Sequence, residues 1–307
     1  MWQHQKFLIF FRNNIRITGN GKGINVSFAD ATRNYSRLRI ATMPNKPITV
    51  SIYQYYTPAG SSDMIWDQNY ALTSDEKGNA YLYGTFLETS SHVSVKYKEV
   101  PLATHQFSKE TENAKSYALD ATVVSLTDKA ITYDQIVEDV KKELDAGKTY
   151  INLILAPDAD ENTLDAIHYG LQDARYGSIN LTLIGCKKIP YGGFMHFDML
   201  KSIALPDVTE IGENAFSDCT WLEKVVLGNL TKVYGKAGEK GIFEGCRTED
   251  IDLVLSEDQK VMNGGKTEGG YCWTADITKD YSGSDEHNGR VFLDYVFESI
   301  TCGYSVP

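Results

Sequence analysis

The second half of the chain repeats itself every 22 residues, and this repeat limits the fold more than any other feature of the sequence. Apolar residues two positions apart recur at this step, in the pairs Leu181 and Leu183, Ile203 and Leu205, and Val225 and Leu227. Apolar residues that alternate in this way are typical of short, half-buried strands. A short strand cannot bury its own face, so repeated strands bury it by stacking on one another. The sequence therefore predicts short parallel strands, one in each repeat.

Later columns of the repeat keep their residue types but change their spacing. Phe216 and Phe243 are 27 residues apart, and so are Cys219 and Cys246. The five extra residues lie in a segment rich in glycine and lysine, residues 235–241. Repeat arrays tolerate an insertion that is confined to one loop. We interpret Cys219 and Cys246 as core residues, because a free cysteine packs as a small hydrophobe.

The residues of the best-formed repeat resemble a known family. Residues 205–219, LPDVTEIGENAFSDC, are similar to the BspA-like leucine-rich repeats, and residues 242–246, IFEGC, are similar to the next copy. The resemblance covers roughly residues 150–260, and the first repeat departs from it with Phe197 in the place of Cys219. It implies a short leucine-rich-repeat solenoid. It also implies an exported or surface-exposed protein of the kind found in gut and oral anaerobic bacteria, some of which are adhesins.

The first 125 residues follow a different rhythm. Alternating apolar residues between 38 and 40, between 48 and 52, and between 93 and 97 are separated by turn signals such as Pro44 and Asn45. Short alternating strands that are joined by turns, with no helical period, favour an antiparallel β-sandwich. Residues 75–83, DEKGNAYLY, resemble fimbrillin-type or transthyretin-like sandwich domains.

Two segments have helical spacing. Ile136, Val140 and Leu144 recur four apart, and apolar residues follow the same pattern between 160 and 174. We expect these helices to close the open end of the solenoid. The predicted fold is thus an N-terminal antiparallel β-sandwich followed by a short leucine-rich-repeat solenoid, with a helical N-terminal cap and a β-rich C-terminal cap. The predicted units are a sandwich (1–125), a linker with the capping helix (126–148), the repeats (149–260) and the C-terminal cap (261–307).

Composition narrows the classes of partner. The net charge is −11 and the isoelectric point about 5.1, so the chain repels phosphate backbones and no nucleic-acid partner is expected. No apolar run reaches the ~20 residues of a membrane helix. The apolar run at residues 7–11 is shorter than the core of a signal peptide. Two interpretations follow: the chain is cytoplasmic, or its true start lies upstream of Met1. The family resemblance favours an extracellular or cell-surface protein, with a lipid anchor only if the true N-terminus is missing.

Motifs with catalytic or metal chemistry are incomplete in this sequence. Residues 158–169 begin like a calcium-binding EF-hand loop, but the sixth position is Thr163 and the twelfth is Tyr169. We therefore interpret Asp160 and its neighbours as the start of a helix. Residues 19–23 lack the spacing of a phosphate-binding loop. No catalytic residue, metal site or cofactor is predicted.

The cysteines number five, which argues against a complete disulfide framework. Cys272 and Cys302 lie outside the repeats, and we expect them to form a disulfide if the protein is exported.

The residues between the core positions of each strand point the other way and define a candidate binding face. The first predicted column is polar and contains Asn152, Asn180, Ser202, Lys224 and Asp252. The second contains small or apolar residues, namely Ile154, Thr182, Ala204, Val226 and Val254. The alternative is that this face is solvated, or is covered by the sandwich or the C-terminal cap.

These features predict a non-enzymatic cell-surface or secreted binding or adhesion protein that recognises a protein or a glycan. The alternative is a structural, fimbrial-type or surface scaffold subunit that assembles through its N-terminal sandwich. A third hypothesis is an enzyme, such as a glycosidase with carboxylates gathered from its loops.

Overall fold

The computed structural model describes residues 36–56, 64–84, 91–98, 100–107, 116–157, 159–234, 241–256, 259, 290–293 and 295–304. The strands of the N-terminal part are β1 (Ser36–Ala41), β2 (Pro47–Tyr56), β3 (Met64–Thr73), β4 (Asn79–Gly84), β5 (Ser91–Tyr97), β6 (Val100–Phe107) and β7 (Ser116–Asp120). The next elements are β8 (Val124–Leu126), α1 (Tyr133–Asp145), β9 (Tyr150–Leu155), α2 (Glu161–Leu171), β10 (Ile179–Ile184), β11 (Lys188–Ile189), β12 (Leu200–Leu205), β13 (Glu210–Ile211), β14 (Lys224–Leu227) and β15 (Lys232–Val233). After a 3-10 turn at Thr248–Asp250, the remaining strands are β16 (Asp252–Ser256), β17 (Val291–Phe292), β18 (Tyr295–Val296) and β19 (Ser299–Tyr304).

The N-terminal strands form two sheets around a shared apolar core. One is a four-stranded antiparallel sheet in the order β3-β2-β5-β6, and the other is a three-stranded sheet in the order β4-β1-β7. Alternation along the strands buries Val50 and Val95 of the first sheet in the same core as Leu38 and Ile40 of the second. The predicted all-antiparallel sandwich is wrong in one respect, because β1 and β7 pair in parallel. The long stretch of chain between these two strands supplies the crossover that parallel pairing needs.

The largest element is a seven-stranded parallel sheet in the order β19-β16-β14-β12-β10-β9-β8. Its strands pair in register at the repeat spacing, with Leu181 opposite Ile203 and Ile203 opposite Val225. The repeated side chains that point inward are all buried, namely Leu181, Leu183, Ile203, Leu205, Val225 and Leu227. The sequence pattern therefore identified the inward face of these strands.

The predicted fold class, a leucine-rich-repeat solenoid between a helical and a β-rich cap, is wrong. Within the described residues the chain is mostly β, with two α-helices and several sheets. The helices do not cap an open end: α1 connects β8 to β9, and α2 connects β9 to β10, each between neighbouring strands of one sheet. β19, which lies in the expected C-terminal cap, pairs with β16 and forms an edge of the same sheet. Helical spacing predicts that a helix forms, but it carries no information on which strands that helix joins.

Side-chain hydrogen bonds cap the start of both helices. Thr132 accepts a hydrogen bond from the backbone N–H of Gln135 at 3.2 Å, and Asp160 accepts one from that of Thr163 at 3.0 Å. The hydrogen bonds that Asp160 accepts from the backbone N–H and the hydroxyl of Thr163 lower the pKa of its carboxyl group. The interpretation of Asp160 as a helix cap is confirmed. Neither of the two helices in the described part of the chain is long and apolar enough to cross a membrane.

The N-terminal sheets pack on the outward face of the parallel sheet. Val100 of β6 is buried against Ala204 and Val226, and Ile184 of β10 belongs to the core of the N-terminal sheets. The side-chain amide of Asn152 donates to the backbone oxygen of Leu102 at 2.8 Å. Part of the predicted binding face is therefore an internal junction.

Candidate functional site

A row of polar side chains crosses the outward face of the parallel sheet, one on each of six neighbouring strands. Strand register places these residues opposite one another, and we call them the polar row: Tyr150, Asn180, Ser202, Lys224, Asp252 and Ser299. The next outward-pointing positions along the same strands form the inner row: Asn152, Thr182, Ala204, Val226, Val254 and Thr301. The inner row mixes polar and apolar side chains, and Ala204 and Val226 near its centre are buried against Val100 of β6.

Two residues of the predicted face lie in other rows than expected. Asn152 pairs with Thr182 and so belongs to the inner row, while Ile154 pairs with Ile184 one row further on. The partner of Asn180 is Tyr150, which was not predicted as a site residue. The step from β9 to β10 is 30 residues instead of the assumed 28, because α2 makes this connection longer. The register of a helical crossover could not be extrapolated from the shorter repeats.

A cleft of about 570 Å³ opens over the polar row. Seven of its lining residues were predicted from sequence, namely Asn180, Thr182, Ser202, Ala204, Lys224, Val226 and Asp252. Its other lining residues are Pro101, Tyr150, Lys201, Ile203, Glu223, Arg247 and Asp250. Pro101 belongs to β6, so the N-terminal sheets form one wall of the cleft.

The remaining predicted residues take little or no part in an accessible surface. Asn152 is buried beneath Leu102, and Ile154 packs against the core of the N-terminal sheets. Val254 is half-buried beside the cluster around Val100. At the back of the cleft, Thr182, Ala204 and Val226 each keep less than a tenth of their surface exposed. The alternative that the sandwich covers the face thus holds for the inner row from Asn152 to Val226, whereas the polar row remains accessible.

Hydrogen bonds hold parts of the polar row in fixed orientations. The Ser202 hydroxyl donates to Asn180 Oδ1 at 2.7 Å, and the Asn180 amide donates to the backbone oxygen of Thr149 at 3.3 Å. The Ser299 hydroxyl donates to Asp252 Oδ1 in the same manner at the other end. Side chains that are oriented in advance lose less conformational entropy when a ligand binds. The row is therefore organised before any ligand arrives.

Tyr150 anchors one end of the row. Its hydroxyl is hydrogen-bonded to the hydroxyl of Thr104 on β6, which links the row to the N-terminal sheets. The ring of Tyr150 lines the cleft and is partly exposed. Its position is thus fixed at both the backbone and the hydroxyl, which leaves a rigid aromatic surface at the end of the cleft.

The charged residues of the cleft balance one another. Its lining contains three cationic side chains, Lys201, Lys224 and Arg247, and three anionic ones, Glu223, Asp250 and Asp252. Lys201 Nζ lies 3.3 Å from Glu223 Oε2, and Arg247 Nη1 lies 3.3 Å from Asp250 Oδ2. The cleft is therefore neutral overall, although the whole chain carries a charge of −11. Hydrogen bonding, rather than net charge, is what this surface offers a ligand.

Cys219 and Cys246 do not line the cleft. The Cys219 thiol donates to the backbone oxygen of Phe194 at 3.0 Å, and the Cys246 thiol donates to that of Phe216 at 2.9 Å. Burial raises the pKa of the Cys246 thiol to about 12 and that of Cys219 well above its usual value. Cys219 is a buried core thiol, as its repeat position predicted, whereas Cys246 is partly buried and packs against that core.

Other predicted features fall outside the region that the structure describes. These are Cys272, the side chain of Cys302 and residues 235–240 of the glycine- and lysine-rich loop. The expected disulfide is accordingly still a prediction. Among the described residues no cluster of histidine, cysteine and acidic side chains is arranged to hold a metal ion.

Sequence reasoning missed the charged rim of the cleft. Lys201 lies at the start of β12, and Glu223 and Arg247 precede β14 and β16, where a charged residue is also common on any solvated surface. A signal was available in the 22-residue step that separates Lys201 from Glu223.

Comparison of the chain with protein families, curated proteins and solved structures found no match.

Proposed function

We propose that this chain is a non-enzymatic binding or adhesion protein, secreted or held at the cell surface, that recognises a protein or a glycan in the cleft over the polar row. The observation that carries the proposal is the preorganised, charge-balanced polar row, which lies open beside the buried junction of the two parts of the chain. Its location outside the cell rests on the resemblance of residues 150–260 to exported BspA-like proteins.

The proposal places ligand contact on Ser202, at the centre of the row. Ser202→Arg puts a long charged side chain into the cleft and removes the hydrogen bond to Asn180. We expect binding to weaken by about tenfold or more, because the variant loses a polar contact with the ligand and the arginine occupies space that the ligand would fill. The measurement is binding of the labelled protein to an array of glycans and extracellular-matrix proteins, followed by Kd values for each hit.

The control variant is Gln172→Arg, which adds the same charge at an exposed position after α2, outside the cleft. It should bind as the unmodified protein does. Thr182 and Ala204 are poor test positions because an arginine there would separate the N-terminal sheets from the parallel sheet. If Ser202→Arg and Gln172→Arg bind every hit equally well, the cleft is not the site.

A structural role as a scaffold subunit is the second candidate. β3 is ten residues long and pairs with β2 along its whole length, and no described strand pairs with its other side. A strand edge that pairs with no described strand can be a template for a strand from another chain. Concentration-dependent polymers in size-exclusion chromatography and electron microscopy would favour this role, and a monomer at every concentration would contradict it.

A further inference from the structure

The spacing of the polar row distinguishes between the two kinds of ligand in the proposal, a protein segment and a glycan. Neighbouring strands of a sheet lie about 4.8 Å apart, so the row presents one side chain at each such interval. An extended peptide rises about 3.3 Å per residue and repeats a given side only every second residue, at about 6.6 Å. Neither peptide interval matches the row. A pyranose unit in an extended chain advances by a length close to the strand spacing.

The chemistry of the row also suits hydroxyl groups, which both donate and accept hydrogen bonds. Asn180 keeps a second amide N–H to donate and a lone pair to accept, Ser202 can still accept although its O–H is donated to Asn180, and Lys224 donates while Asp252 accepts. With three cations and three anions in its lining, the cleft offers no net attraction to an acidic polymer. The charge of −11 on the whole chain repels one.

Tyr150 supplies the apolar contact that such a ligand needs. Its hydroxyl is held by Thr104, so its ring stays in place at the end of the cleft. A sugar ring has an apolar face of C–H groups that can pack on an aromatic ring, and rigid tyrosines provide contact area at low entropic cost.

We infer that the cleft binds a linear, uncharged glycan that lies across the strands, with about one sugar on each strand from β9 to β16. The inference rests on the proposed function and specifies its ligand. The strands β9, β10, β12, β14 and β16 contribute polar-row residues to the cleft, so the site has about five positions. The glycan end at β9 packs on Tyr150.

The test is titration of the full chain with cello-, xylo- and chito-oligosaccharides of about two to six sugars, followed by calorimetry. Affinity should rise with each added sugar up to about five and then level off, and it should change less than about twofold when salt is raised, because no net charge is neutralised. Oligogalacturonides of the same lengths, which are anionic, should bind at least about tenfold more weakly. An affinity independent of length, or tighter binding of the anionic series, would overturn the inference.

Variants connect the affinity to named contacts. Tyr150→Ala should weaken binding of the longest neutral oligosaccharide by about tenfold, whereas Tyr150→Phe, which keeps the ring, should retain most of it. Lys224→Met lies on an exposed position, carries little risk to folding and should weaken binding by about fivefold. If both Tyr150→Ala and Lys224→Met bind as the unmodified protein does, the glycan does not lie along the row.

Two outcomes separate this inference from the proposed function. If no neutral oligosaccharide binds but an arrayed protein does, and Ser202→Arg abolishes that binding, the glycan inference fails and the cleft remains a binding site. If neutral oligosaccharides bind equally well to the unmodified protein and to Ser202→Arg, both the cleft and the inference are wrong.

Discussion

Phe216→Ala should lower the free energy of unfolding by about 3–5 kcal/mol, the usual cost of truncating a buried aromatic residue. Phe216 lies between Phe194 and Phe243 in a stacked column, with ring centroids 5.4 Å and 5.2 Å away. It is fully buried, so the cavity left by alanine cannot be filled by solvent. The column lies inside the core shared by the strands of the parallel sheet, where it contacts residues of successive repeats.

Urea unfolding monitored by circular dichroism measures this change. Tyr169→Ala is the matched control, because it removes an aromatic side chain that is 54% exposed on α2, and it should cost less than about 0.5 kcal/mol. A loss below about 1 kcal/mol for Phe216→Ala would show that the stacked column is not a principal support of the core.

The aromatic column illustrates what sequence periodicity can predict. Phe194, Phe216 and Phe243 occupy equivalent positions in the sequence, and the structure stacks them although the last step includes an insertion. The inward-facing pairs at 181 and 183, 203 and 205, and 225 and 227 were identifiable for the same reason. A residue that must be apolar in every repeat leaves a regular trace in the sequence, since each copy meets the same neighbours.

The order in which the strands and helices are connected produces no regular pattern in the sequence. β8 and β19 belong to the parallel sheet, but neither lies in a segment that repeats, so the extent of the sheet could not be read from the sequence. The helical spacing of α1 and α2 reports an apolar face and is compatible with a cap or with a crossover. The partner that covers this face is determined by tertiary packing.

The sequence predicted part of the candidate site, because outward positions on repeated strands also follow a regular pattern. Alternation along the strands identified the outward positions, and strand register then brought Asn180, Ser202, Lys224 and Asp252 into one row. The division of that face into an open row and a covered row depends on Val100 and its neighbours in β6, which lie far away in the sequence. Docking between two parts of a chain is therefore the step at which pattern-based reasoning stops.

That docking has a polar component at Asp207, whose removal is the second large effect that we expect. Asp207 is buried, and its Oδ1 lies 3.1 Å from Nζ of Lys98, in the turn between β5 and β6. Its Oδ2 accepts a hydrogen bond of 2.9 Å from the backbone N–H of Gly185. Asp207→Ala leaves Lys98 only 20% exposed without this partner and leaves the Gly185 donor unsatisfied. We expect a loss of about 3 kcal/mol in the free energy of unfolding, the lower end for breaking a buried pair.

The matched control is Asp173→Ala, which breaks an ion pair of the same 3.1 Å length with Lys141. Asp173 and Lys141 are largely exposed, at 63% and 48%, so the loss in the free energy of unfolding should be below about 1 kcal/mol. Urea unfolding at neutral pH compares the two variants. Equal losses would mean that the Lys98–Asp207 contact does not hold the N-terminal sheets to the parallel sheet.

The pH dependence provides an independent check on the same contact. Burial by itself would raise the pKa of Asp207, but the Gly185 N–H and the ammonium groups of Lys98 and Lys187 hold it below its usual value. The stabilisation that results is complete above the ordinary carboxyl pKa of about 3.9 and is lost as the pH falls through the lower value of the folded state. The difference in stability between the unmodified protein and Asp207→Ala should therefore shrink on acidification below about pH 4. A difference that stays constant between pH 7 and pH 3 would show that the carboxylate charge does not contribute to the junction, and that the loss at neutral pH comes from packing alone.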